Sequence, residues 1–539
     1  MSSHKTFVRD ATGLVRAISI TDYAVTNLNA VNPLVALVYT AWFIWLGVPN
    51  ADIVTACIGG FILVVFGDIV VFAMTTATFP RSASPYVAES RVLHPSVGWP
   101  SEVSNWLSFT PLGLAGNGII LVSVGLVPGF YTLGVSLHNS SLVSLAFAVS
   151  QPLWSTVLIE ALILITLAIA ILGTGALVRT FQLPLTIVMF IGTFVMMGYW
   201  TTGSLTHLQA LLPEYTNQSY TSIINYARAT YPAAMGPISF APIVVLTAVA
   251  FTVGSFNSYW GAWAAGEVKR GNSVRLNYLG MAIPSLILFL VIAYSLGMAQ
   301  VTVGRDILVA MTQIFSYNPG FFSSLPSVGG FAGFIIIPMI LADNPIAQLV
   351  MMLGSICAAL TFYVYIWLIC SRDLFAWSFD RLIPAKFADV NSRTGTPVFS
   401  LIFLAVLGCL FSPILTYAPQ WLLYFPVLSY VLAVFSIGVL MLAGIFLPLK
   451  KDLWSVSPAS KYKILGIPVI SISGVLGFYL QFSAVFFYMT ISAYGWSPQA
   501  SEWLAGVIIA PFILYWIILR IRKSQGIDLG LIFRSVPPE

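Results

Sequence analysis

The stretch TDYAVTNLNAVNPLVAL, residues 21–37, decides how the chain must be read. It is apolar for most of its length, yet Asn27, Asn29, Asn32 and Pro33 cut across its middle. Proline has no N–H and clashes with the carbonyl four residues back. Asparagine competes for backbone hydrogen bonds and tolerates left-handed conformations. These residues predict a helix interrupted near its midpoint; a proline kink with asparagines bonding neighbouring helices is the alternative. A second stretch, APIVVLTAVAFTVGSFNSYWGAWAAGEVKR (241–270), has Gly254, Ser255, Asn257 and Ser258 in its middle. Small-residue helix packing is the alternative there.

Both stretches sit in a chain of 539 residues that is 58% hydrophobic and only 8% charged, where soluble domains carry about 25% charge. A water-soluble globule cannot cover that much apolar surface. Soluble enzymes, nucleic-acid binders, coiled coils and disordered chains are excluded, and the lipid bilayer is the expected surrounding. A bilayer core takes about 20 apolar residues per helix. Twelve runs qualify, roughly 18–46, 52–75, 103–127, 153–173, 182–203, 238–262, 277–300, 343–370, 398–416, 421–447, 465–491 and 503–520. They are continuous rather than alternating, so helices and not barrel strands are predicted. The run 331–342 is too short to span and contains Pro338, which suits a re-entrant segment.

Charge sets the orientation. With both termini cytoplasmic, every Lys and Arg of the 23 falls inside except Arg228 and Arg305. The basic pI of about 8.9 is thus a topology signal. The sequons at Asn139 and Asn217 fall in predicted external loops. Cys57, Cys357, Cys370 and Cys409 lie in apolar stretches and read as small hydrophobes. The expected organisation is a cytoplasmic N-terminus (1–17), spans 1–5 (18–203), an external loop (204–237) and spans 6–10 (238–447) with a re-entrant external segment at about 305–342. A cytoplasmic loop (448–464), spans 11 and 12 (465–520) and a cytoplasmic tail (521–539) complete it.

The interrupted spans are the first and sixth. A five-span repeat that starts inside ends outside, so its second copy runs inverted. Interruptions at matching places of inverted halves point to a binding site at the bilayer midplane. Half-helix ends there present partly positive N–H groups and partly negative carbonyls. A zwitterion such as an amino acid fits this with no buried side-chain charge.

Three cytoplasmic stretches carry a family resemblance: FPRSASPYVAESRVLHPSVGW (79–99), AAGEVKR (264–270) and SRDLFAWSFDRLIPAKFADVNSRTGTP (371–397). With the span layout, over about residues 14–450, the chain resembles the amino acid–polyamine–organocation (APC) superfamily permeases of LeuT-like fold. The resemblance implies an all-α polytopic membrane protein of 12 transmembrane helices, a 5+5 inverted repeat with broken helices 1 and 6, and two C-terminal helices. It implies an amino acid permease of the plasma membrane working by alternating access; a polyamine, organocation or other small-metabolite carrier is the alternative. Carried over by position, the substrate carboxylate meets amides at Asn29, Ala30 and Val31. The ammonium meets carbonyls at Asn27, Ser255 and Phe256, with Phe256 as a lid and Asn117 and Asn257 as pocket residues. The chain departs from the family where Asn27-Leu28-Asn29 replaces Gly-x-Gly, Asn257 replaces the span 6 glycine, and Ser82-Ala83-Ser84 replaces Ser-Gly-Gly.

Acidic residues at membrane depth are functional candidates by default. Asp68 and Glu160 are the candidates for proton coupling. Arg16 with Asp373 is a candidate inner gate, and Glu267 is a further gate candidate, a local ion pair with Lys269 being the alternative. The family's span 5 lysine is absent, and Ser355 is the one hydroxyl considered for a sodium site, so H+ coupling or exchange is preferred to Na+. No cofactor or metal is expected. No phosphate-binding Gly-x-x-x-x-Gly-Lys motif is present, and the four histidines lie in termini or loops, so no enzyme is expected. A channel and a transporter-like solute sensor are the rival classes. The topology predicts that a membrane-impermeant maleimide labels Ser219→Cys from outside and Lys463→Cys from inside in intact and inverted vesicles respectively; the reverse pattern refutes it.

Overall fold

The computed structural model describes residue 14 and residues 16–326, 332–418, 421–491 and 498–537. Most of the expected N-terminal segment 1–17, and 327–331 of the expected re-entrant segment, lie outside the described residues. Among the described residues eleven helices are long and apolar enough to cross a bilayer, and twelve if the bent pair Pro242–Phe251 and Val253–Glu267 counts as one span. The protein is a multi-pass, all-α membrane protein. Its outer surface carries half-exposed large apolar side chains such as Ile165, Ile187, Phe194, Leu290 and Ile509, which no aqueous surface would hold in such density.

Span 1 is two helices, Ile20–Val31 and Pro33–Gly47, joined at Asn32 alone. Span 2 (Ile53–Thr78) contains a π-turn at Val64–Asp68. Span 3 runs from Pro95 to Ser136, far longer than the expected 103–127, because the helix begins earlier, at Pro95, and continues at its other end through Val127–Ser136. Span 4 is Pro152–Ile171 and span 5 is Ala176–Thr202. Span 6 bends by 45° between its two parts. Spans 7, 8 and 9 are Val274–Val303, Pro345–Phe379 and Val398–Tyr417. Span 10 is Trp421–Phe446, span 11 Val469–Thr490 and span 12 Pro498–Ser524. The short run expected to be re-entrant forms the helix Ala332–Ala342, whose residues from Gly333 onward are buried in protein.

Packing is ordered around spans 1, 6 and 8. Span 5 lies along span 8, span 3 along span 10, span 4 against span 9, and span 2 against span 7. Span 1 packs on span 7, and span 6 on span 2. A close crossing joins Gly192 of span 5 to Gly354 of span 8: a Cβ on Gly192 would stand 2.7 Å from the Gly354 Cα. Helix association in lipid relies on such small residues. Gly192→Val is expected to lower thermal stability in detergent by about 1–3 kcal/mol through overpacking. Gly198→Ala, with nothing within 4 Å of its added methyl, is expected to melt like the parent; equal melting of both variants would refute the crossing.

Candidate functional site

The break in span 1 is built by one residue. Asn32 adopts φ 66°, a left-handed conformation that asparagine tolerates, and Pro33 starts the next helix without needing a hydrogen bond. The Asn32 Oδ1 accepts from the Leu34 and Val35 amides at 3.2 and 3.3 Å. Its Nδ2 donates to the Ala358 carbonyl (2.6 Å) and Thr361 Oγ1 (2.9 Å) of span 8. One side chain thus caps the second half-helix and fastens it to span 8. In span 6 the helical turn Val253–Phe256 ends at Asn257, and the chain resumes as a 3₁₀ segment, Trp260–Glu267.

Between the two breaks lies a cavity of about 130 Å³. Ala30, Val31, Ser255, Asn257 and Asn117, all expected at the site, line it. So do aromatic residues from five spans, among them Tyr39, Phe109, Trp260, Tyr365 and Tyr430. Among the described residues no acidic or basic side chain lines it. Two polar atoms at its wall are buried without a hydrogen-bond partner, the Asn117 Oδ1 and the Tyr430 hydroxyl. The Asn117 amide is held in place by donating to the Ala359 carbonyl at 2.8 Å. Ser255 Oγ pairs with Thr40 Oγ1 at 2.5 Å, and Ser108 Oγ with Ser429 Oγ at 3.0 Å. Gly254 gives Tyr430 its place, since a Cβ there would stand 2.1 Å from the tyrosine hydroxyl.

Several expected positions are corrected. Asn27 is a strut: its Oδ1 accepts from the Gly261 amide (2.7 Å) and its Nδ2 donates to the Gly280 carbonyl (3.0 Å). Asn29 donates to Val25 O and Thr186 Oγ1, both at 2.8 Å, and so joins span 1 to span 5. The backbone from Asn29 to Val31 is helical. The amides left open by the break are those of Leu34 and Val35, which Asn32 already holds. Phe256 is no lid. It packs at 6.1 Å on Phe61 and 6.0 Å on Phe289, towards spans 2 and 7. Successive helical residues diverge by about 100°, so Ser255 and Phe256 cannot share a face.

Asp68 ends the π-turn of span 2, fully buried. One carboxylate oxygen accepts from Gln481 Nε2 at 2.5 Å and the other has no partner. Tyr259, in the span 6 break, lies close enough to feel its charge and stacks on Phe72 at 3.9 Å. Glu160 is half-buried and accepts from Ser412 Oγ at 3.0 Å, bridging spans 4 and 9. Ser355 donates to Met351 O of its own helix at 2.9 Å.

The expected Arg16–Asp373 pair does not form, for neither Asp373 oxygen accepts a hydrogen bond. Nor does Glu267 pair with Lys269; it binds Arg372 at 2.7 Å, and Thr174 joins both. Arg372 is one residue from Asp373, so the helix turn, invisible in a linear pattern, chose between them. Beside this pair, Ile18 forms a parallel bridge with Val268, with Ile18 N–H donating to Glu267 O and Lys269 N–H to Ile18 O, both at 2.9 Å. The segments flanking spans 1 and 6 are thus tied at the end of the bundle that the charge pattern assigns to the cytoplasm. Also missed in the sequence was the aromatic wall, whose members look like ordinary apolar residues until five helices converge.

Comparison with known proteins yields no matching family model and no matching curated sequence. Removing one partner of a buried ion pair costs about 3–5 kcal/mol, because the other charge is stranded. Arg372→Gln and Glu267→Gln are each expected to lower thermal stability by that order, and the double variant by less than either single; additive losses would show that the pair does not interact.

Proposed function

We propose that this protein is a secondary transporter that carries amino acids across the plasma membrane by alternating access, driven by proton coupling or exchange. The observation that carries it is the cavity between the two interrupted spans, lined by Ala30 and Val31 on one side and by Ser255 and Asn257 on the other. The resemblance to APC permeases implies the same activity. The packing supports an inverted repeat: exchanging spans 1–5 for 6–10 in order turns the 5–8 contact into 10–3 and the 1–7 contact into 6–2, while 4–9 and 2–7 map onto themselves, and all of these contacts occur.

A cavity without charged side chains suits a solute of no net charge. A bound zwitterion would find carbonyl and hydroxyl acceptors and the unpartnered Asn117 Oδ1 for its ammonium. Its carboxylate would take donors from the Tyr430 hydroxyl and from amides freed if the Asn32 cap let go. Asp68 supports proton coupling: a buried acid with one unpartnered oxygen, it sits beside the span 6 break, where a change of helix angle would alter its solvation. Glu160 is the second proton candidate. The aromatic wall favours one further substrate class, organic amines, since a cation is attracted to the faces of Trp260, Tyr365 and Tyr430.

The test is uptake into proteoliposomes with a panel of amino acids and amines. Saturable uptake of one class is expected. Trp260→Ala and Gly254→Val are expected to reduce it at least tenfold, and Asp68→Asn to abolish the response to an imposed proton gradient. No uptake or exchange of any panel member would refute the reading, as would stimulation by a sodium gradient alone for its coupling.

A further inference from the structure

A second cluster of buried groups lies away from the cavity. Glu89 in the helix Ser84–Val92, Glu102 in the first turns of span 3 and Asp373 near the end of span 8 are all 0% exposed. The three are near enough to interact electrostatically, Glu89 with Glu102 and Asp373, and Asp373 with Glu102. Neither oxygen of Glu89, neither of Asp373, and not Oε1 of Glu102 accepts a hydrogen bond. The other Glu102 oxygen takes weak bonds from Trp263 Nε1 (3.3 Å) and Asn105 Nδ2 (3.4 Å). The fully buried Ser101 hydroxyl lies against the Glu89 carboxyl but makes no hydrogen bond of good geometry to it or to any other group.

The cations nearby are committed elsewhere. Arg91 holds Asp380 through both guanidinium nitrogens at 2.7 and 2.8 Å, with Tyr86 on the same carboxylate. Arg372 holds Glu267. Cys370 is the other titratable group facing Glu102 and Asp373. Span 12 packs on the start of span 3, and its Tyr515 ring meets that of Trp99. Span 10 carries Tyr430, at the cavity, and span 2 carries Asp68. Gly98 lets span 3 lie close against the helix of Glu89: a Cβ there would stand 2.6 Å from the Ser90 amide nitrogen.

An ionised carboxylate buried without a partner is unstable relative to its neutral form, and adjacent carboxylates share protons. A metal ion is disfavoured by geometry, since no group of three acidic, histidine or cysteine side chains among the described residues could hold one. We propose that Glu89, Glu102 and Asp373 form a proton-binding site in which at least one carboxyl stays protonated at neutral pH, linked to the span 6 break by the Trp263 indole. The site is distinct from Asp68 and Glu160, and it stands whether or not the protein transports amino acids. Burial first, and the neighbouring carboxylates second, push the Glu89 carboxyl well above the usual carboxylate range. The folded state therefore binds more protons than the unfolded chain, and its stability falls as pH rises through that window.

The test uses purified full-length protein without substrate. Infrared spectra of Asp68→Asn, which removes a fully buried carboxyl that, unlike Asp380 and Glu267, has no cationic partner, are expected to keep a protonated-carboxyl C=O band at neutral pH. The band should weaken in Glu89→Gln, Glu102→Gln or Asp373→Asn made in that background. The parent's melting temperature should fall from mildly acidic to alkaline pH, and the triple neutral variant should flatten that slope. Absence of the band in Asp68→Asn overturns the proposal, even if the triple variant fails to fold. So does a parent melting profile that rises with pH or matches the triple variant, or stabilisation by Na+ or Ca2+ that the parent shows and the variant lacks.

Discussion

The structure depends on how a helix is interrupted where water cannot repair it. In a bilayer every open backbone amide or carbonyl costs several kcal/mol unless the protein supplies a partner. Asn32 supplies it in span 1. Its side chain serves the amides that the break exposes, and its own N–H groups bind span 8. A glycine would adopt the same backbone angle but would leave those amides open. The asparagines of the first span are therefore the means by which the discontinuity is held at a defined angle. Asn27 and Asn29 extend that anchoring to spans 6, 7 and 5.

Once the breaks are anchored, the rest of the arrangement follows from where polar groups can be tolerated. The cavity is lined by aromatic rings and by a few hydroxyls and amides already paired with protein, leaving the Asn117 Oδ1 and Tyr430 hydroxyl open. Among the described residues charge is kept out of it and gathered elsewhere, two of the places lying beside the segment that follows the span 6 break. At one, Glu267 and Arg372 neutralise each other beside the Ile18–Val268 bridge. At the other, three buried carboxyls lie within electrostatic reach of one another, the two arginines beside them being paired with other acids, and the proton is the proposed counter-charge. Trp263 touches this second place, and it belongs to the segment that follows the span 6 break. The geometry of the breaks and the protonation of the acids thus meet in one element.

The fold class and most of the span layout were legible in the sequence, because a run of about 20 apolar residues means much the same thing wherever it sits in a bilayer protein. The interruption at Asn32–Pro33 was legible for a local reason, proline's missing N–H. The site was legible only in part. Ala30, Val31, Ser255, Asn257 and Asn117 line the cavity as expected, but Phe256 and the Asn27 and Asn29 side chains face neighbouring helices. Glu102 escaped notice because span 3 begins at Pro95 rather than at 103, so a deeply buried acid looked like a loop residue.

What the sequence determined by itself was everything governed by local chemistry and by the solvent: apolar length, the distribution of positive charge, and the places where the backbone cannot stay helical. What only the tertiary structure decided was partnership. Arg372 engaged Glu267 rather than its chain neighbour Asp373. Five separate spans supplied one aromatic wall, and three acids spread over nearly 300 residues came to share one buried volume. The physical reason is that hydropathy and proline chemistry act within a few residues of the chain. Which face of a helix meets which neighbour depends instead on rotation and crossing, set by contacts such as Gly192 against Gly354.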